Sequence, residues 1–361
     1  MEDLVKFYKN RRVFVTGHTG FKGSWLTLWL KRFGANVCAV ALPPASSPSL
    51  FRAARCGTGI ESHYADIRDA AKLDRLMRDF RPEVVFHLAA QALVGVSYRK
   101  PLETFATNVQ GSANLLESVR RIKSVRSLVY ATSDKCYENR ETGRLYRESD
   151  RLGGKDPYAA SKAAAEIVFG AYRQSFFSEG SVGAASVRAG NVIGGGDWSE
   201  GRIVTDIARH LAAGKSAPIY HPEAIRPWQH VLEPLYGYLI LAKVLYRSPK
   251  KFSGSWNLGP SSGKVRLVKD LAERMIAAWG KGSWVSKKSR GFREAGVLRL
   301  SSAKARRGLG WRTVLTFDET VSKTAHWYRG YYAGTPAVRL CERDFEDYEK
   351  KVLYASKRGK R

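Results

Sequence analysis

Acidic residues and cysteines are scarce in this sequence, and long apolar runs are missing from it. Its 361 residues include 4 cysteines, with no CxxC spacing, so neither a disulfide framework nor a zinc site is predicted. No apolar run approaches the roughly 20 residues that a membrane-spanning helix needs, and the charged start has no signal-peptide core. These absences predict a reduced, cytoplasmic protein that does not cross a membrane.

The shortage of acid leaves a large excess of positive charge. The chain has 61 Lys and Arg against 33 Asp and Glu, a net charge of +28. Such a field can concentrate nucleotides, acidic membranes or nucleic acid. The basic residues are spread widely, however, and only the end of the chain, Lys357-Arg358-Gly-Lys360-Arg361, is densely basic. We therefore favour a generally basic, solvated surface over a specific nucleic-acid site.

Strand-like and helix-like segments alternate through the first half of the chain. Apolar strands are predicted at 12–16, 36–42, 84–88, 127–131 and 184–188, with helical periodicity between them. This alternation predicts an α/β fold, a doubly wound parallel Rossmann-type sheet with right-handed crossovers.

A glycine turn joins the first strand to the first long helix. Gly17, Gly20 and Gly23 follow a GxxGxxG spacing, which lets backbone approach a pyrophosphate and aims helix amides at its charge. The end of the second strand, Leu42-Pro43-Pro44, offers neither an acid for ribose hydroxyls nor a cation for a 2′-phosphate. The sequence therefore favours NAD over NADP.

Beyond the fifth of these strands the pattern changes to glycine-rich turns and short elements. We predict an NAD-binding domain at 1–187 and a smaller C-terminal substrate-binding domain at 188–361. Residues at about 228–250 are expected to pack back on the first domain.

Two acid/base pairs carry the predicted chemistry. Tyr158 and Lys162 stand four residues apart, so they share one helix face. A lysine ammonium beside a phenol favours the anion, and free tyrosine titrates near ~10. Asp134 and Lys135 follow an apolar strand and add a second pair. The motif predicts a phenolate that takes a proton from an alcohol while hydride leaves the same carbon.

Five segments together carry a family resemblance. They are the glycine turn Val15–Trp25, Thr132–Asn139, Arg188–Trp198, Arg226–Pro234 and Leu309-Gly-Trp311. The chain resembles the CDP-glucose 4,6-dehydratases of the extended short-chain dehydrogenase/reductase family. In that family the ends of the third and fourth strands border the cofactor. The implied cofactor contacts are Gly17, Thr19, Gly20, Phe21, Gly23, Asp66, Ile67, Leu88, Ala89, Ala90, Tyr158 and Lys162.

The resemblance implies a lyase with an internal NAD redox cycle. Tyr158 takes the proton of the sugar 4-hydroxyl as hydride goes to NAD. The 4-ketone then acidifies the C5 proton, water is lost across C5 and C6, and hydride returns to C6. CDP-glucose would thus give CDP-4-keto-6-deoxyglucose, a precursor of deoxysugars such as those of O-antigens.

The resemblance also suggests individual roles. Lys135 would be the C5 base, which requires it to be neutral, and Asp134 the acid, which requires a raised pKa. Alternatively, Lys135 pairs with Asp134 or stabilises the enolate. Thr132 would hydrogen-bond the 4-oxygen, and Lys162 would orient the nicotinamide ribose and lower the pKa of Tyr158.

The implied partners are a nucleotide sugar, with a CDP-hexose favoured, and copies of the same chain in a homodimer or homotetramer. Asn191, Arg202 and Arg226 are the predicted substrate-binding residues, because amides and guanidinium groups suit diphosphate oxygens. The seven histidines show no metal-ligand spacing, so no metal is predicted, and His87 is expected to be a packed core residue.

Two loops depart from the family pattern, at 91–98 and at 293–304, and leave the exact substrate open. A sugar-nucleotide 4-epimerase is the main alternative, since it needs only the Tyr-Lys pair. A non-catalytic dinucleotide-binding regulator is a further one. The Asp134-Lys135 pair favours the dehydratase over both.

Overall fold

Alternating strands and helices build a layered α/β structure. This computed structural model describes residues 1–260, 266–287 and 296–358. The strands are β1 (Arg12–Thr16), β2 (Asn36–Ala41), β3 (Glu61–Tyr64), β4 (Val84–His87), β5 (Ser127–Ala131), β6 (Leu145–Tyr146), β7 (Gly183–Ala189), β8 (Val192–Ile193), β9 (Ala217–Tyr220), β10 (Gln229–His230), β11 (Gly254–Leu258), β12 (Trp284–Lys287) and β13 (Arg299–Leu300).

The helices run from end to end of the chain. They are α1 (Glu2–Tyr8), α2 (Phe21–Arg32), α3 (Leu50–Ala53), α4 (Ala70–Phe80), α5 (Val94–Arg99), α6 (Pro101–Phe105), α7 (Gly111–Arg121), α8 (Pro157–Phe176), α9 (Ile203–Ala212), α10 (Leu232–Arg247), α11 (Pro249–Phe252), α12 (Val268–Trp279), α13 (Ala303–Leu309), α14 (Phe317–Tyr332) and α15 (Ala337–Arg358). A π turn, Ala106–Gln110, and a 3-10 turn, Asp134–Cys136, interrupt the regular elements. No helix among the described residues is long and apolar enough to span a membrane.

Seven parallel strands form the central sheet in the order β11-β7-β5-β4-β1-β2-β3. The central strands are buried apolar runs, as expected for a parallel sheet covered on both faces. The strand order reverses between β1 and β4, where Thr16 lies beside His87. In open α/β sheets a crevice forms beyond the carboxyl ends of strands at such a reversal. This confirms the predicted Rossmann-type sheet and places the candidate site.

Apolar clusters cover the two faces of the sheet. One contains Trp25 and Trp29 of α2 with Leu239 of α10. The other contains Leu73 of α4 and Phe169 of α8. Burying these large side chains contributes about 1.5–3 kcal/mol each.

The helical segment between β4 and β5, which its periodicity suggests is continuous, is divided into α6 and α7 by the π turn. In that turn Asn108 accepts from the Gln91 backbone N–H at 2.8 Å and donates to the Gln91 carbonyl at 3.0 Å and to Ser161 Oγ at 2.9 Å. π turns often mark functional sites, and this one ties the loop after β4 to α8.

Segments from the second half of the chain join the central sheet. Strand β11 pairs with β7, and Ser127 Oγ of β5 donates to the Ala242 carbonyl of α10 at 2.9 Å. The remaining short strands form three parallel pairs, β8 with β10, β9 with β12 and β6 with β13. The predicted division between residues 187 and 188 stays a prediction.

Candidate active site

The glycine turn between β1 and α2 brings backbone segments into contact. Gly17 has φ +81°, and a Cβ there would lie 2.6 Å from the Ala89 nitrogen. A Cβ on Gly23 would lie 2.0 Å from the Gly17 carbonyl oxygen. Both glycines are therefore required by the fold itself.

Gly20 is different, because its ideal Cβ would meet only the Gly17 carbonyl oxygen, at 3.4 Å. It is the N-cap of α2, with ordinary φ −79°. The protein leaves space at this position in front of the helix N-terminus, where backbone amides lack intrahelical partners. That space fits a dinucleotide pyrophosphate, which needs close backbone approach.

A buried hydrogen-bond chain fixes the ends of β1 and β4. Thr16 Oγ1 accepts from the Leu88 and Ala89 amides at 3.2 and 3.1 Å and lies 2.7 Å from His87 Nδ1. His87 Nε2 lies 3.0 Å from Ser112 Oγ. Burial lowers the pKa of His87 to about 3, so the ring is neutral. The chain confirms His87 as an interior residue and holds 88–90 against the glycine turn.

The other predicted cofactor residues lie around the ends of the neighbouring strands. Thr19 Oγ1 donates to the Leu42 carbonyl at 2.8 Å. Asp66 accepts from the Arg68 guanidinium at 2.6 and 2.9 Å, and these hydrogen bonds lower the pKa of Asp66. Ile67 is buried against Gly111, and the Phe21 ring borders Gly194. Their contact with NAD stays a prediction.

Tyr158 and Lys162 are both buried near the start of α8. The helix begins at Pro157, and the Asp156 carboxylate caps it by accepting from the Ala159 amide at 2.9 Å. Burial raises the pKa of Tyr158 to about 12, although the Ser133 hydroxyl and Arg202 act to lower it. The prediction of a lowered phenol pKa is wrong for this structure, because burial outweighs the nearby positive charge. Burial likewise lowers the pKa of Lys162 to about 8.

Thr132 and Ser133 point to different groups. The Thr132 hydroxyl donates to Glu166 Oε1 at 2.5 Å, and its predicted contact with the sugar 4-oxygen stays a prediction. Ser133 lies beside the Tyr158 phenol instead. Successive side chains of extended backbone point to opposite sides, and Ser133 is extended, with φ −160° and ψ 155°. The residue predicted from the sequence is therefore one position away from the residue that faces the phenol.

Asp134 is a buried acid at the edge of this cleft. Ser133 Oγ donates to its Oδ1 at 3.0 Å, and a Cβ on Gly190 would lie 3.1 Å from its Oδ2. Burial raises the pKa of Asp134, opposed by Lys135, Ser133 and Lys22. The direction is the one that a general acid requires. Lys135 is half-buried, and its positive charge acts on Asp134.

Lys22 is a site residue that was not predicted from the sequence. It lies in the first turn of α2, and burial lowers its pKa to about 8, while Asp134 favours its charged form and Arg202 opposes it. Its charge also lowers the pKa of Lys162. Lys22 is the one lysine or arginine of the glycine turn at 17–23, and this is the signal that could have revealed it.

The predicted substrate residues lie on three segments around the cleft. Arg202 donates to the Ala92 carbonyl at 3.4 Å and lies 3.7 Å from Asp197 Oδ2. Arg226 donates to the Ile225 and Gly296 carbonyls at 2.9 and 3.1 Å, and its charge acts on Asp134. Asn191 follows Gly190, and its backbone carbonyl accepts from the backbone N–H of Gln229 at 3.0 Å.

The structure describes the first of the two loops that depart from the family pattern, at 91–98, and only part of the second, at 293–304. The loop at 91–98 is braced by Gln91, whose Nε2 donates to Thr104 Oγ1 at 2.9 Å. Of the second loop, Arg293-Glu-Ala lies outside the described residues, as do the last three residues of the basic tail. Lys304 lies over the Trp256 ring, 4.3 Å from its centroid.

Comparisons with known proteins agree with this geometry. A family model described as GDP-mannose 4,6 dehydratase matches residues 14–324. A CDP-glucose 4,6-dehydratase of Salmonella typhimurium (strain LT2) is 45% identical over 348 residues, which cover 95% of this chain and 97% of that relative. A UDP-glucose 4-epimerase of Mycolicibacterium smegmatis is 26% identical, covering 88% of this chain and 98% of that relative.

Solved structures share the fold. The Thermus thermophilus UDP-glucose 4-epimerase complex with NAD has a TM-score of 0.76 and 28% identity, and the match covers 88% of this chain and 99% of that one. The dTDP-glucose 4,6-dehydratase of Streptomyces venezuelae, with NAD and TYD bound, has a TM-score of 0.76 and 23% identity. The match covers 89% of this chain and 98% of that one.

Proposed function

Because the chain belongs to the GDP-mannose 4,6-dehydratase family, we propose that it is an NAD-dependent nucleotide-sugar 4,6-dehydratase that acts on CDP-glucose. The observation that carries the proposal is the buried acid Asp134 beside Ser133 and close to Lys135. An epimerase needs only the Tyr-Lys pair, whereas elimination needs a second acid/base pair at C5 and C6. The relative that is 45% identical, a CDP-glucose 4,6-dehydratase, supports the same choice.

NAD is the cofactor, and the glycine turn offers the place for it. The space at Gly20 and the N-terminus of α2 would hold the pyrophosphate, with Leu88–Ala90 and Lys162 toward the nicotinamide ribose. When bound, NAD supplies reversible hydride acceptance at the reacting carbons.

Tyr158 is the proposed base for the sugar 4-hydroxyl. Its phenol is buried beside the Ser133 hydroxyl, whose proton is donated to Asp134 Oδ1 at 3.0 Å, so Ser133 links the proposed base to the proposed acid. Arg202 favours the phenolate. With a pKa of about 12, the phenolate is a minor species at neutral pH, so the first step is expected to accelerate as pH rises.

Asp134 is the proposed acid for the departing 6-hydroxyl. Its raised pKa keeps the carboxyl protonated further toward neutral pH than an ordinary aspartate. Loss of the C5 proton, which the 4-ketone acidifies, gives an enolate, and Lys135 either takes that proton or stabilises the enolate with its charge. The enolate electrons then expel the 6-oxygen, which receives the proton of Asp134 and leaves as water.

The substrate residues and the assembly are parts of the same proposal. Asn191, Arg202 and Arg226 would hold the diphosphate and sugar of CDP-glucose. A homodimer is supported by exposed apolar side chains on α6 and α8, two helices that pack together. Leu102 is 85% exposed and Ile167 62% exposed, and apolar surface exposed in this way is typical of interfaces.

The test is turnover with CDP-glucose and NAD, followed by the alkaline absorbance of the 4-keto-6-deoxy product. UDP-, dTDP- and GDP-glucose in parallel reactions separate the chemistry from the nucleotide preference. Ketone from CDP-glucose at the highest kcat/KM is expected. Ketone from another nucleotide alone would correct the substrate, and an epimerised hexose without ketone would replace the dehydratase proposal by the epimerase.

A further inference from the structure

Three ligand-type side chains converge at the edge of the sheet, outside the cleft. Cys38 lies in β2, and Glu61 and His63 lie in β3. Cys38 pairs with Glu61 across the strands, and Val40 pairs with His63. Residues two apart share one face of a strand. The Cys38 Sγ, a Glu61 carboxylate oxygen and a His63 ring nitrogen all lie within 4.8 Å of one another.

The protein itself does not use these three groups. Within the described parts of the chain, none of the three side chains has a hydrogen bond or an ion pair, and the Cys38 thiol is free. An unpaired glutamate is unexpected in a chain with 61 basic residues. Cys38 is only 1% exposed, whereas Glu61 is exposed and His63 is half-buried. The cluster is thus closed on the thiol side and open to solvent at the edge strand.

We propose that Cys38, Glu61 and His63 bind a zinc-class divalent metal ion, with solvent completing the coordination. Thiolate, imidazole and carboxylate together form a ligand set that suits Zn²⁺. Two ligands come from one strand at positions i and i+2, and the third comes from the neighbouring strand, so all three approach the ion from one side. The metal replaces the thiol proton, so one proton is released for each ion bound.

The observed spacing is close to what such an ion requires. Zinc-ligand bonds of about 2.0–2.3 Å in a tetrahedral site put ligand atoms roughly 3.3–3.8 Å apart. The ligand atoms lie within 4.8 Å of one another, so each pair has at most about 1.5 Å to close, which is within the reach of side-chain rotation, because Glu61 and His63 are not enclosed. The sequence alone does not reveal this cluster, because its members come from two strands and lack the spacing of a zinc motif.

The position of the cluster predicts what binding does. Among the strands that the structure describes, β3 is at the edge of the sheet and pairs with β2 alone. On its opposite face Ser62 Oγ lies 2.8 Å from Nε2 of His18, a residue of the glycine turn. A metal joining β2 to β3 therefore reinforces the strand that supports this turn. We expect Zn²⁺ to raise the thermal midpoint of the protein, since a ligand bound only to the folded state stabilises it.

The test is metal titration of the tag-free, chelator-treated full chain. Zn²⁺ is measured by competition with a chromophoric chelator, and Co²⁺ by its visible and thiolate charge-transfer absorption. One ion per chain is expected. Cys38→Ser and His63→Ala should each weaken binding at least about tenfold, since even outer-shell changes cost 10- to 100-fold. Cys38→Ser should also abolish the charge-transfer band.

Two matched variants control for other thiols and imidazoles. Cys56→Ser removes a different buried thiol, and His326→Ala removes an exposed imidazole on α14; both should bind as the parent does. If circular dichroism shows that Cys38→Ser does not fold, weaker Zn²⁺ binding by His63→Ala and Glu61→Gln is the deciding result. Both residues lie on the solvent-exposed side of the cluster, so these variants are expected to fold. Absence of stoichiometric binding, or a Co²⁺ thiolate band that survives Cys38→Ser, would overturn the proposal.

Discussion

Residues of the same type, close together in the sequence, have different roles in this protein: some are required by the fold and others face the candidate active site. Gly17 and Gly23 are fixed by backbone contacts of 2.6 and 2.0 Å at their missing Cβ atoms, whereas Gly20 is not. Thr132 and Ser133 are neighbours, yet one contacts the buried Glu166 and the other the catalytic cleft. Residue type alone therefore does not tell which of the three glycines, or which of the two hydroxyl residues, faces the candidate active site.

The glycines give a matched pair of variants. Gly20→Ala should fold with nearly unchanged stability, because its φ is ordinary and its Cβ meets only one oxygen at 3.4 Å. It should nevertheless weaken NAD binding about tenfold or more, since the methyl occupies the space proposed for the pyrophosphate. Gly23→Ala should instead lose several kcal/mol of stability through overpacking. Calorimetric NAD titration and thermal unfolding measure the two effects, and equal behaviour of both variants would contradict this distinction.

Tyr158→Phe tests the proposed base. Removing one hydroxyl should lower kcat about 10²- to 10⁴-fold, the usual contribution of general base catalysis. Nucleotide binding should persist, because the ring stays in place. In the parent enzyme kcat should rise with pH above neutrality, since the pKa of Tyr158 is about 12. Steady-state rates with a binding isotherm check both points, and undiminished turnover in the variant would exclude Tyr158 as the base.

At the scale of elements, a buried ion pair joins four parts of the site. Glu166 of α8 binds Arg188 of β7 at 2.7 and 2.9 Å, with side-chain exposures of 1% and 3%. Glu166 also accepts from Thr132, and Arg188 donates to the Tyr137 hydroxyl at 2.8 Å and to Ser255 Oγ at 3.0 Å. The pair links α8, β7, β11 and the segment that carries Asp134, the proposed acid.

Breaking this pair should be costly. Glu166→Gln leaves the Arg188 charge buried without its counter-charge, so a loss of about 3–5 kcal/mol is expected. The matched control is Glu117→Gln, whose partner Arg120 lies at the surface with 38% side-chain exposure; its loss should stay below about 1 kcal/mol. Urea unfolding of both variants makes the comparison. Equal losses would mean that the buried pair has no special structural role.

The contact of α10 with α15 predicts a pH dependence of stability. Glu233 accepts from the Tyr348 hydroxyl at 2.7 Å and from the Val314 and Leu315 amides at 2.8 Å. Burial raises the pKa of Glu233 from 4.5 to about 7. A raised folded-state pKa means that this stabilisation is complete below pH 4.5 and is lost as pH rises through about 7.

Glu233→Gln isolates that effect, because the amide keeps the same shape without titrating. Relative to the variant, the parent should lose up to about 3 kcal/mol between pH 4.5 and 8. The difference between the two unfolding free energies, measured at several pH values, removes the opposite contribution of the buried histidines. A difference that does not change with pH would show that the pKa of Glu233 is not raised.

At the scale of the whole molecule, the net charge and the exposed apolar side chains suggest where two copies of the chain would associate. The net charge of +28 opposes association, so an interface between copies needs apolar contact. The exposed apolar side chains on α6 and α8, Leu102 and Ile167, are where we expect it. Ile167→Glu should therefore shift the protein toward monomer in light scattering. Val285→Glu, at another exposed apolar residue, is the control. An unchanged mass for Ile167→Glu would place any interface elsewhere.

The sequence by itself determined the local features of this protein. The strand-turn-helix unit, the Tyr158-Lys162 spacing and the βα alternation depend on short-range geometry, so periodicity and turn chemistry predict them. The family resemblance added the roles of residues within those motifs. The ends of the five predicted strands lie within one residue of the observed ends, but the π turn was missed because it depends on Asn108 contacting Gln91 and Ser161.

Only the tertiary structure decided which groups meet and how strongly they are buried. It placed the charge of Lys22 near Asp134 and the Ser133 hydroxyl beside the Tyr158 phenol, and it reversed the direction expected for the pKa of Tyr158. It also gathered Cys38, Glu61 and His63 from two strands. These outcomes depend on desolvation and on contacts between segments distant in sequence, which no local pattern encodes.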